Sequence, residues 1–206
     1  MIGKKIDGIE VSNAVKNILK NAVEKLKSEN VIPCLATILV GDNPASATYV
    51  KNKHKACEVV GIKTKDYKLS AEITQEQLND VIDKLNRDKE VHGILVQLPL
   101  PNQLDEFATV SSIFPIKDVD GLTPQNMGLL SMGKSILKPC TPSGIMEMFY
   151  YYKIGIEGKS VVIINRSNLI GKPLYNLLLQ NNATVITCHS KTKNLKGICQ
   201  NADIII

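Results

Sequence analysis

The chain has 206 residues, of which 44% are apolar and 22% charged, with a formal net charge of +5 at neutral pH. This length fits one large or two small domains with a substantial core, and the composition is that of an ordinary soluble globular protein. No apolar run is long enough to cross a bilayer, and the start "MIGKKIDG" is neither a secretory signal nor a transit peptide, so a cytoplasmic protein without a membrane partner is expected.

Residues 9–26, "IEVSNAVKNILKNAVEKL", place Ile9, Val11, Val15, Ile18, Val23 and Leu26 on one helical stripe, joined by Ala14, Leu19 and Ala22. "VIPCLATILVG" is rich in β-branched residues, ends at Gly41 and predicts a buried strand. Asn43 is placed to cap a helix whose first residue is Pro44 and which ends near Gly61. "IKTKDYKL" predicts a weaker strand. "TQEQLNDVIDKL" opens with Thr74 and Gln77 in capping-box spacing and lines Leu78, Val81, Ile82 and Leu85 on one face. "HGILVQLPLP" predicts another apolar strand, stopped by Pro99 and Pro101. Residues 115–144 read as loop-rich, and a domain junction is expected near their end, giving domains 1–140 and 141–206. "IMEMFYYYKI" then predicts a helix, and "GKSVVIINRSNLIGKPLYNLLLQNNATVITCHS" reads as strand, loop, helix, strand, the start of a dinucleotide-binding unit. A short strand, "DIII", ends the chain. The alternation of helix and buried strand predicts two α/β domains with parallel sheets, the second of Rossmann type.

The five cysteines form no CxxC pair and are expected to be mostly small buried hydrophobes. The three histidines offer no ligand spacing, so no metal is expected. The lysines are spread over helix-like segments, which argues against a nucleic-acid partner and suits small anionic ligands.

"GDNPASATYVKNK" carries the first chemical signal. Ser46, Tyr49 and Lys53 fall in a row on one helix face, near the carboxyl edge of the preceding strand, where open α/β sheets bind ligands. A ring there can stack on a flat ligand, and a lysine shielded by that ligand can exchange protons near neutrality. Against this stands the ordinary fate of a helical lysine, which points at water. Gln97 ends a buried strand at the same kind of edge, and "KDVDG" puts Asp118 and Asp120 in a turn. Singly, these are an ordinary strand end and an ordinary turn.

Taken together and in order, "GDNPASATYVKNK", "GILVQLPLP", "KDVDG", "KPCTPSG" and "NRSNLIGKP" make the sequence resemble the bifunctional methylenetetrahydrofolate dehydrogenase/methenyltetrahydrofolate cyclohydrolase family, over essentially the whole chain. The resemblance implies that Lys53 is the catalytic lysine and that Tyr49 packs against the folate ring system. It implies that Gln97 works with the lysine and Asp120 holds the pterin. Ser46, Leu98 and Pro99 complete the substrate side. The implied chemistry is oxidation of 5,10-methylenetetrahydrofolate with NADP to the 5,10-methenyl form, followed by hydrolysis to 10-formyltetrahydrofolate. The setting is one-carbon metabolism that feeds purine biosynthesis, with folates that include polyglutamylated forms. A cytoplasmic homodimer is implied as well.

The cofactor segment departs from the family's Gly-Arg-Ser pattern. Asn165 replaces the first glycine and is followed by Arg166, Ser167 and Gly171. Asparagine tolerates positive φ, so the turn is expected to survive, with a side chain that crowds a pyrophosphate. The next strand ends in "CHSKT" without the acidic residue that NAD sites use for the ribose. Arg166, Ser190 and Lys191 instead suit a 2′-phosphate, and NADP is expected over NAD. The chain stops at Ile206 after a third strand of this domain, where the family continues. A fragment or a short protein with a partial cofactor domain is therefore expected. The alternative function is a non-catalytic folate- or nucleotide-binding remnant. A different two-domain dehydrogenase, such as a shikimate dehydrogenase, is a third reading, against which the first two motifs weigh heavily.

Overall fold

Apolar runs without alternation predict strands buried on both faces, and this chain builds two parallel sheets around such strands, Cys34–Val40 and Ser160–Ile163, with Lys63–Leu69 and Thr184–Thr187 beside them partly exposed. The computed structural model describes residues 3–206. They divide into two compact units: Ser12–Val119, and the described residues up to Val11 together with Asp120–Ile206.

In the first unit the elements run α1 (Gly8–Ser28, whose first turn belongs to the second unit), β1 (Cys34–Val40), α2 (Pro44–Val60), β2 (Lys63–Leu69), α3 (Gln75–Arg87), β3 (Gly93–Val96) and α4 (Glu106–Ser111). The sheet order is β2-β1-β3, parallel throughout. The strand period of two sends Ala36, Ile38 and Val40 to one face, where Leu78, Ile82 and Leu85 of α3 bury them. Thr37 points to the other face and is buried. Its hydroxyl donates to Asp66 at 2.7 Å and lies 2.9 Å from His54 Nε2 on α2. Both expected helix starts are present. Asn43 Oδ1 accepts the Ala45 and Ser46 N–H groups with Pro44 in the first turn, and Thr74 and Gln77 close a reciprocal capping box.

The second unit contains α5 (Pro124–Ser131), α6 (Cys140–Tyr151), β4 (Ser160–Ile163), α7 (Gly171–Gln180), β5 (Thr184–Thr187), α8 (Leu195–Gln200) and β6 (Ile204–Ile205). Its sheet order is β5-β4-β6, again parallel. Val161 and Ile163 of β4 pack with Leu174, Leu177 and Leu178 of α7 and Phe149 of α6. The N-terminal residues are tied to α6 through side chains far apart in sequence. The Tyr151 and Tyr152 hydroxyls each donate to Glu10 at 2.8 Å, and these bonds hold the Glu10 carboxyl below its usual range.

Three features differ from the sequence expectation. The region 115–144, read as loop, contains α5 and the first turns of α6. The α5 start is marked by Thr123 capping Asn126 N–H, with Pro124 in the first turn. Helices α4 and α8 have six residues each, too short for a periodic signal. Of the apolar stripe on α1, Val11 and Val23 are buried, whereas Ile9, Ile18 and Leu19 stay exposed. Nine apolar positions make a stripe wider than the surface available to cover it.

Candidate active site

Because β1 and β3 are adjacent and parallel, their carboxyl ends open on the same side. The pairing continues one residue past β3, where Gln97 N–H donates to Ile38 O at 2.9 Å. Helix α2 starts four residues beyond β1, so the face that bears Lys53 returns along the same edge. There Lys53 Nζ donates to Gln97 Oε1 at 3.3 Å. The other end of the same amide is also committed, Gln97 Nε2 donating to Leu98 O at 2.7 Å. Two opposed bonds orient the glutamine with its oxygen toward the amine, so the half-buried Lys53 has a defined direction.

Tyr49 lies one helical turn before Lys53 and is 64% exposed, which leaves a ring face available for stacking. Ser46 is buried in the capped first turn of α2. Leu98 is half-buried and Pro99 exposed, and the peptide between them is cis.

The "KDVDG" segment extends along β3. Ile94 N–H donates to Lys117 O at 2.7 Å, and Asp118 forms a parallel bridge to Ile94. Lys117 anchors this extension by donating to the carbonyls of Leu85 and Asp88. Its burial pulls the ammonium below the ordinary lysine range. Asp118 is buried, whereas Asp120, in the second unit, is half-buried, with its Oδ1 3.4 Å from Cys140 Sγ. Gly121 follows with φ of 64°, and a Cβ there would lie 2.9 Å from Lys138 C. Both its backbone angle and its close neighbour require glycine after Asp120.

In the second unit, the loop from β4 to α7 carries Asn165, Arg166 and Ser167. Asn165 is not among the non-glycine residues with positive φ, which corrects the expected reason for its tolerance. The turn is held instead by its side chain: Asn165 Oδ1 accepts Ser167 N–H at 2.8 Å. Ser167 Oγ in turn accepts Ile170 N–H at 3.1 Å. Gly171 starts α7 against this loop, and a Cβ on it would sit 2.7 Å from Arg166 N and closer still to the Asn165 carbonyl. Arg166, Ser167, Ser190 and Lys191 are exposed. Ser190 follows β5, whose register is carried past its end by Cys188 N–H donating to Ile163 O at 2.7 Å. The absence of an acidic side chain in "CHSKT", together with the exposed Arg166, Ser190 and Lys191, fits a nucleotide bearing a 2′-phosphate.

The sequence reading missed the His54–Asp66–Thr37 cluster, in which His54 Nε2 lies 2.7 Å from Asp66 Oδ1. The register that brings β2 beside β1 assembles it, and no spacing in the sequence signals it.

The architecture and these groups define an α/β protein with two parallel sheets. One presents an oriented amine–amide pair at its carboxyl edge, and the other presents a nucleotide-type loop. The chain belongs to the tetrahydrofolate dehydrogenase/cyclohydrolase family: residues 6–120 match its catalytic domain and residues 139–206 its NAD(P)-binding domain. It is 68% identical to the bifunctional protein FolD of Nitrosopumilus maritimus (strain SCM1), over 100% of this chain and 72% of that protein. The structure of the bifunctional FolD dehydrogenase/cyclohydrolase from Campylobacter jejuni superposes with a TM-score of 0.95 at 49% identity, covering 97% of this chain and 71% of that one. The Trypanosoma brucei dehydrogenase-cyclohydrolase, solved with NADP and an inhibitor, gives a TM-score of 0.95 at 36% identity, covering 99% of this chain and 71% of that one.

Proposed function

We propose that the chain oxidises 5,10-methylenetetrahydrofolate with NADP and hydrolyses the resulting methenyl compound to 10-formyltetrahydrofolate. The observation that carries this reading is the Lys53–Gln97 hydrogen bond at the carboxyl edge of the first sheet. Family membership, the NADP-bound relative and the 2′-phosphate character of the second loop support it.

For hydride transfer, the protein's contribution is alignment. The ring of Tyr49 offers a stacking face for the p-aminobenzoyl group, and Asp120 grips the donor-rich edge of the pterin through charge-assisted hydrogen bonds. Bound NADP supplies the hydride acceptor. Arg166, Ser167, Ser190 and the close-packed Gly171 would hold it, with Asn165 beside the pyrophosphate.

Ring opening needs a base for the attacking water and an acid for the departing nitrogen. The Lys53 amine takes one proton from water as the hydroxyl adds to the methenyl carbon, and returns it to N5 as the C–N5 bond breaks; the adduct's hydroxyl proton leaves to solvent as the formyl C=O forms. A methenyl cation beside Lys53 favours the neutral amine by like-charge repulsion, so the substrate itself primes the base. Gln97, fixed by Leu98 O, aims the amine. Ser46, Leu98 and Pro99 shape the folate side. In this reading residues 1–140 carry the folate chemistry and 141–206 the nucleotide. Polyglutamylated folates, a homodimer and a cytoplasmic location accompany it. Among the described residues no helix is long and apolar enough to cross a membrane.

The alternative, a non-catalytic remnant, is disfavoured by the oriented Lys53–Gln97 pair and by the high identity to bifunctional relatives. An absorbance assay on the purified chain separates the two. Methenyltetrahydrofolate should form from the methylene compound with NADP, faster than with NAD, and then decay faster than it does in buffer. If the methenyl compound neither forms from the methylene compound nor decays faster than it does in buffer, the proposal is overturned.

A further inference from the structure

The amide of Asn165 makes a bond that the family's glycine cannot make. Its Oδ1 holds the Ser167 N–H at 2.8 Å. That N–H belongs to the loop between a central strand and a close-packed helix start, where backbone donors of nucleotide-binding units face the pyrophosphate. The main chain at Asn165 has no room to withdraw, because Gly171 packs directly on its carbonyl. The side chain, only half-buried, is the movable part.

We infer that the Asn165 amide oxygen occupies the place of a cofactor phosphate oxygen on the Ser167 N–H, so that NADP binds by displacing it and Asn165 sets the cofactor affinity. The inference rests on the proposed use of this loop for NADP. A neutral amide oxygen is a weaker acceptor than a phosphate oxygen, so displacement proceeds, but each binding event must break a bond that a glycine-bearing loop would not contain. In the cofactor-free protein the same bond keeps the loop ordered.

The test is a series at this position, read as dissociation constants for NADP by calorimetry. Alanine is accommodated without strain, because Asn165 lacks positive φ. Asn165→Ala and Asn165→Gly should bind NADP about fivefold to tenfold more tightly than wild type. Asn165→Asp keeps the acceptor and adds a negative charge beside the pyrophosphate, and should bind at least about tenfold more weakly. The mononucleotide 2′-AMP, which lacks a pyrophosphate, should bind all four proteins alike. Without cofactor, Ser167 amide exchange should quicken in the alanine and glycine variants and not in the aspartate variant. Wild-type binding of NADP with unchanged or weaker binding by Asn165→Ala would overturn this inference alone. A wild-type chain that binds no NADP would overturn the cofactor reading and the inference with it.

Discussion

Lys53→Met should lower methenyltetrahydrofolate hydrolysis by roughly a thousandfold, the range expected when a positioned general acid–base group is removed. Methionine keeps most of the aliphatic stem and the helical propensity of lysine, so α2 should fold as before. What disappears is the only group on this stretch of α2 that donates to Gln97 Oε1 at 3.3 Å among the described residues. Methylene oxidation should fall much less, because that step asks the protein for alignment and not for proton transfer. Methenyltetrahydrofolate should therefore accumulate in an NADP-driven assay that in wild type shows a rise followed by decay. Hydrolysis by the variant at the wild-type rate would remove Lys53 from the mechanism.

Gly171→Val should abolish measurable NADP binding and destabilise the second unit by about 3 kcal/mol, as overpacking against a rigid neighbour does. The cause is geometric. Even one Cβ at Gly171 would lie 2.7 Å from Arg166 N and closer to the Asn165 carbonyl, and both are backbone atoms that no rotamer change can clear. Relief requires the α7 start to move away from β4, which breaks the packing of Leu174 on Val161 and Ile163 and displaces Ser167 together with the loop. Thermal unfolding followed by circular dichroism, and NADP titration of the variant, check the two halves of this expectation. A variant with wild-type melting and binding would show that the loop yields easily.

Much of this fold is legible in the sequence. Long periodic segments with strong caps, such as α2 behind Asn43 and Pro44 and α3 behind Thr74 and Gln77, announce themselves because both their ends and their faces are encoded locally. The short helices α4, α5 and α8 did not, since six to eight residues complete barely two turns and leave no period to detect. Thr123 followed by Pro124 was a usable start signal inside what looked like loop. The α1 stripe overstated burial, because periodicity reports which residues share a face and not whether anything covers it.

For the site, Tyr49 and Lys53 shared a helix face by spacing alone. The meeting of Lys53 with Gln97 depends on β3 lying beside β1, with β2 on the far side, and one sequence does not give that strand order. In the sequence Asn165 stands as a departure from pattern that points to the backbone angle. The structure locates its effect in the side-chain bond to Ser167.

The central claim is that Lys53 and Gln97 act as one unit in opening the methenyl ring, and a double-mutant cycle on hydrolysis tests it most directly. Gln97→Ala alone should slow hydrolysis more than about tenfold, yet added to Lys53→Met it should cost less than about threefold, because the amine it aims is already gone. An equal loss from Gln97→Ala in both backgrounds would show the two side chains acting independently and would contradict the claim.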